Sequence, residues 1–204
     1  MKLSRHGMKF LLITLTLGLV LPSFVSAKSV DYKSILKEWT RKDEAYNWTN
    51  LEARLVWSAT YLSEDFRQAK LKKYGEIYEL DPVEVQRLYE KERAEDSEYD
   101  SFFVSIYAGS REYPEIGKNR ELWRLVLQVP GRPPLEPALW QEVTIDPVIR
   151  TLYPYIDRWS KSFIVRFPKV TSPATEKFEL RMIGVPADSD LVWKLQKSKK
   201  HAQR

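Results

Sequence analysis

Three triplets late in the chain leave little choice of architecture: Phe163, Val165 and Phe167; Phe178, Leu180 and Met182; Leu191, Trp193 and Leu195. Each sets large apolar side chains at i, i+2 and i+4, the spacing that puts them on one face of a pleated strand. Leu139, Val143 and Ile145 alternate in the same way, and 122–129 puts Trp123, Leu125, Leu127 and Val129 on one face. The stretch 101–108, SFFVSIYA, is apolar on both faces, as a central strand requires. Pro133, Pro134 and Pro137 forbid a regular ladder before Leu139. These strands follow one another without helical periods between them, so the pairing is expected to be antiparallel.

The earlier part of the chain reads at helical spacing. Asp31 is positioned to cap a short helix with Ile35, Leu36 and Trp39 on one face and Glu38 paired to Lys42. Thr49-Asn50-Leu51-Glu52 has the form of a capping box, and Leu51, Leu55, Ala59 and Leu62 form a stripe behind it, so a helix is expected here. Ser63 caps a continuation that ends at Gly75. Asp81-Pro82-Val83-Glu84 is the clearest helix start in the chain, with Val85, Leu88 and Tyr89 as its inner face and its polar last turns standing in water.

The expected fold class is therefore α+β: a helical module over 28–98 packed on an all-β domain over 99–195. The β domain reads as an antiparallel sandwich, loosely immunoglobulin-like in architecture. A helix lying on a curved sheet, as in cystatin-like folds, is the alternative.

The ends carry different signals. Lys2, Arg5 and Lys9 precede an apolar run over 10–22, and Val25 and Ala27 suit a cleavage site, so 1–27 reads as a secretory signal. No apolar stretch of the mature chain approaches the roughly 20 residues of a membrane span. With no cysteine in an exported chain, a bacterial periplasm or exterior is the expected location. The formal charge of +5 comes mostly from the termini. Without 1–27, thirty basic residues face 28 acidic ones, and the segment 196–204 reads as a solvated basic tail. The folded body is not basic, so no nucleic-acid partner is expected.

Catalytic signatures are missing. His6 falls in the leader and His201 in the basic tail, so the folded body can build neither a Ser-His-Asp site nor a His-ligated zinc site. Gly75, Gly109, Gly117, Gly131 and Gly184 stand apart from one another, so no phosphate-cradling loop and no cofactor are expected. A carboxylate-dependent glycoside hydrolase is the one enzymatic alternative, since it needs only two facing acids, for which Glu136, Glu142, Asp146 and Asp157 are candidates. Asp96, Glu98 and Asp100 alternate like the first ligands of a calcium loop but lack its glycine and closing glutamate.

The candidate ligand-binding residues are Tyr153, Tyr155, Arg158 and Trp159, where rings, a cation and an acid crowd a short stretch. Such a set could grip a sugar polymer, or it could be a corner whose rings turn into the core. Adjacency of Arg158 and Trp159 is not expected to give a cation–π contact, because strand neighbours point opposite ways. The function expected is that of an exported, non-enzymatic envelope protein that contacts a protein partner or an envelope polysaccharide. Its contact surface is expected along the Leu51 to Leu62 stripe or on the aromatic loop.

Overall fold

A computed structural model describes residues 31–49, 52–109, 116 and 122–195. The leader, the basic tail, and Asn50 and Leu51 of the expected capping box lie outside them. The described chain is α+β, with two antiparallel sheets and four helices.

The first sheet has five strands in the order β1-β2-β3-β6-β5: Thr40–Asn47 (β1), Glu52–Tyr61 (β2), Tyr99–Tyr107 (β3), Lys161–Pro168 (β6) and Leu139–Val143 (β5). The second has three in the order β4-β7-β8: Trp123–Gln128, Lys177–Gly184 and Asp188–Lys194. The alternating triplets explain how they meet. Phe163, Val165 and Phe167 from the first sheet share one core with Phe178, Leu180, Met182, Leu191 and Trp193 from the second. Phe102 and Val104 of β3 point into this core, while Phe103 between them points to the other side.

That other side carries the helices: Tyr32–Trp39 (α1), Glu64–Tyr78 (α2), Pro82–Glu98 (α3) and Pro147–Leu152 (α4). Leu36 of α1, Phe66 of α2 and Leu152 of α4 cover Phe103 in a second cluster. Three layers result, with the five-stranded sheet in the middle.

The segment 28–98 is not wholly helical. Within 51–62, expected to be a helix, Glu52–Tyr61 form β2, with Leu55, Trp57, Ala59 and Tyr61 all buried at alternate positions. A spacing of four suits both periods, and Trp57 between Leu55 and Ala59 decides for the strand. Thr49 starts no helix; its N–H donates to Asn47 Oδ1 at 3.1 Å in the turn from β1 to β2. Because α1 ends at Trp39, Lys42 lies in β1 and pairs with Glu44 at 3.3 Å rather than with Glu38. Asp31 occupies the N-cap position of α1, but only its carbonyl bonds the first turn.

Ser63 caps α2 through Phe66 N–H at 3.2 Å. The helix runs past Gly75 to Glu79, whose φ of 51° supplies the left-handed end. Gly75 serves a different purpose: a Cβ there would lie 2.7 Å from Val85 Cγ2, so its absence lets α3 approach α2. Asp81 caps α3 as expected, accepting from Val83 and Glu84 N–H at 2.7 and 3.0 Å.

Candidate functional site

The aromatic stretch divides in two. Tyr153 follows α4 and is buried, stacked on Phe103 with centroids 3.8 Å apart and planes 5° apart. Burial pushes its phenol pKa well up. Tyr155 is half-buried, and its hydroxyl pairs with Thr60 Oγ1 at 2.7 Å. Both rings belong to the helix-side cluster, so a platform of three coplanar exposed rings is not formed.

Arg158 and Trp159 face water, and Trp159 is 72% exposed. Asp157 fixes their turn: its Oδ1 accepts from Trp159 and Ser160 N–H at 2.6 and 2.9 Å, and its Oδ2 from Ser160 Oγ–H at 2.8 Å. This is a turn and not a strand, so the two neighbours can meet, and the Arg158 guanidinium lies 5.3 Å from the Trp159 ring centroid. That contact was not expected from the sequence.

The described members of the Leu51 to Leu62 stripe offer no surface, since Leu55, Ala59 and Leu62 are buried. Exposed apolar side chains gather instead at one end of the sheets. Trp48, 78% exposed, and Tyr46 stand at the β1–β2 turn with ring centroids 5.8 Å apart. The pairing of β2 with β3 begins at Val56, so the hairpin carrying these rings continues beyond β3. Arg54 donates to Pro186 O at 3.4 Å, which brings exposed Val185 of the β7–β8 turn beside the hairpin. Ile106 of β3 pairs with both Trp57 and Lys161, so Trp159 lies at this same end of the five-stranded sheet. Gly109 permits the crowding here, because a Cβ would sit 1.9 Å from Ala53 O.

The opposite end holds a cleft of about 970 Å³ between α1, the loop 169–176 and the end of β8. Trp39, Arg41 and Trp193 line it, with Lys37, Glu38, Asp65 and Lys194 among the charged groups around them. Arg41 is fixed by donating from Nε to Val192 O at 2.9 Å and from Nη1 to Glu38 O and Thr40 O at 2.7 and 2.8 Å. Burial lowers its pKa, with nearby Glu38 working against the shift. Trp193 Nε1 donates to Trp39 O at 2.9 Å, while Trp39 Nε1 is buried without a partner.

The loop wall of this cleft is anchored by Asp100, which is fully buried. Its Oδ2 accepts from Val170 and Thr171 N–H at 2.8 and 2.9 Å. Its Oδ1 accepts from Tyr61 O–H at 3.0 Å and from the Thr171 hydroxyl, and Lys169 Nζ lies 3.3 Å away. A carboxylate so supplied with donors holds the loop in place.

Three of the four candidate acids have local structural tasks. Asp146 caps α4 through Ile149 N–H at 2.7 Å, Asp157 holds the turn above, and Glu136 pairs with Arg124 at 2.5 Å. Glu142 is exposed on β5. Asp96 and Glu98 are helical and Asp100 is in β3, so this trio does not form a calcium loop. Among the described residues no cluster of three metal-ligating side chains occurs. Nor is any described helix long and apolar enough to cross a membrane.

The polar last turns of α3 do not stand free in water. Glu92 pairs with Lys70 at 2.6 Å, and Glu95 pairs with Arg166 at 2.6 Å. Buried Arg67 lies 3.3, 3.4 and 3.6 Å from Glu92, Glu95 and Asp96. Burial works to raise the Glu95 pKa, but the hydrogen bond from Arg166 and the charges of Arg67 and Arg166 outweigh it, and the carboxyl sits below its usual range.

Comparison with family models, with curated proteins and with solved structures finds no match to this chain.

Proposed function

We propose that the protein is an exported, non-enzymatic interaction module of a bacterial envelope, a five-over-three sandwich that contacts a partner protein through the exposed end of its sheets. The observation that carries this reading is the gathering of Tyr46, Trp48, Trp159 and Val185 at one end, four of the six large apolar side chains exposed among the described residues. Tryptophan with arginine nearby is the composition of interface hot spots, where a large flat ring enters a desolvated pocket of the partner. The Asp157 turn fixes Arg158 and Trp159 in advance, which reduces the ordering cost of association. The leader-like residues 1–27 and the lack of cysteine support the envelope location.

Glycan binding is the second reading, favoured by a single observation: Arg158 backs the exposed ring of Trp159 and leaves its face to solvent. One experiment separates the two. A photoreactive residue is placed at 48, at 159 and, as a control, at exposed Val83 on the far helical tip. A discrete protein adduct in envelope extract from 48 and 159, and none from 83, supports the first reading. Polysaccharide adducts from 159 alone support the second. Equal labelling from all three positions refutes both.

A further inference from the structure

We propose that α3 is a displaceable cover, and that the cationic strip of Arg67, Lys70, Arg166 and Lys169 beneath it accepts a carboxylate-rich polypeptide segment when α3 departs. None of the 17 residues of α3 is buried, which is unusual for a helix of that length lying on a protein body. Val85, Leu88 and Tyr89, expected as a buried inner face, are only half-covered.

What holds the last turns of the helix is mostly charge, beside the close approach of Val85 to Gly75 near its start and the bond from Lys169 N–H to Glu98 O at its end. From α2, Arg67 and Lys70 face Glu92, Glu95 and Asp96, and Gln68 and Glu64 bond the Tyr89 hydroxyl. From β6, Arg166 faces Glu95, and Lys169 beyond it faces Asp96. From β3, Ser101 donates to Glu95 at 3.2 Å, and Asp100 shares Lys169. On α3 itself Arg87 pairs with Glu84 at 3.6 Å, away from this set.

The arrangement has two consequences. Ion pairs are weakened by salt and by protonation of their acids in a way that apolar packing is not, so α3 can leave while the two cores stay intact. Departure also uncovers Arg67, a guanidinium 2% exposed now and costly to leave without carboxylates. α3 is thus the built-in occupant of a surface whose chemistry is read from what covers it: three carboxylates within two helical turns. A partner segment with the same pattern competes for it.

Hydrogen exchange on the full chain tests the release. Peptides from 82–98 should exchange earlier than those from β3 and β6. Raising sodium chloride from about 0.05 M to about 1 M, where the screening length falls to about 3 Å, should speed only the former. Exchange of α3 in step with β3 at both salt concentrations overturns the proposal. Acceptance is tested with a labelled peptide of the sequence 82–98, added to the full chain and to its Glu92→Gln/Glu95→Gln variant. Binding to the variant should be about tenfold tighter, the factor that corresponds to 1.4 kcal/mol of weakened cover. It should be lost when Lys70→Gln and Arg166→Gln are added. Equal affinity for both chains, or binding that survives loss of the two cations, overturns it.

Discussion

Replacing Asp100 by asparagine tests how the cleft wall is held. The carboxylate is fully buried and meets four donors on two oxygens, with Lys169 3.3 Å away. An amide keeps one oxygen for the Val170 and Thr171 N–H groups and turns its NH2 toward the Tyr61 and Thr171 hydroxyls, which then accept rather than donate. The charge-assisted share of four hydrogen bonds is lost, at roughly 0.5–1 kcal/mol each, giving about 2–4 kcal/mol in all. For a domain of this size each kcal/mol moves the Tm by about 2–4 °C, so the variant should melt roughly 4–16 °C lower. Thermal unfolding followed by circular dichroism measures this. Amide exchange across 169–176 should rise well before that of β6. A loss below about 1 kcal/mol, or a loop as protected as in the parent, would show that Asp100 does not organise the wall.

The aromatic stretch gives a paired test: Tyr153→Ala should cost about 3–5 kcal/mol by removing a buried stacked ring, while Trp159→Ala should stay within about 0.5 kcal/mol in chemical denaturation. Gly109→Ala should destabilise by more than about 2 kcal/mol, since its Cβ would meet the Ala53 carbonyl at 1.9 Å, where backbone must move. The pH dependence of stability has a fixed sign at Glu95. Its folded pKa is depressed, so its contribution is complete above the unfolded value of about 4.3 and is lost as pH falls through the folded value. Melts should therefore be insensitive to this group from neutrality to about pH 5 and show its loss only below about pH 4; Glu95→Gln should flatten that acid limb.

The strands of the second half were legible because their alternation is carried by large residues with nothing competing. The misreading of 51–62 has a specific cause: four-residue spacings satisfy both periods, and a run as rich in β-formers as LVWSATY needed to outweigh them. β1, TRKDEAYN, was illegible because it is a charged edge strand whose place is fixed by β2 and by side chains from β8. α4 was missed although its signal is the one that announced α3, an Asp-Pro start at Asp146-Pro147. At the candidate site the sequence located the crowding of rings but not the direction in which each faces. That depends on the chain after α4 crossing under the helices, where Tyr153 meets Phe103, fifty positions earlier. The cleft had no local signal, being assembled from α1, β1, the 169–176 loop and β8.

β1 and β8 lie side by side as the edge strands of different sheets, yet among the described residues no backbone bond joins them. Arg41 reaches Val192 O, Ser189 bonds Trp57 Nε1 and the Asp43 carboxylate, and Trp193 bonds Trp39 O. Each edge thereby hides the other from intermolecular strand pairing without being fused to it. The two sheets have a side along which they can part with every ladder preserved, so a stretching force or a wedge entering there meets a few side-chain clasps in series rather than a zipper of amides. Mechanical weakness of this protein should begin at that line, where the clasps yield first and the apolar core shared by the two sheets is what then resists their parting.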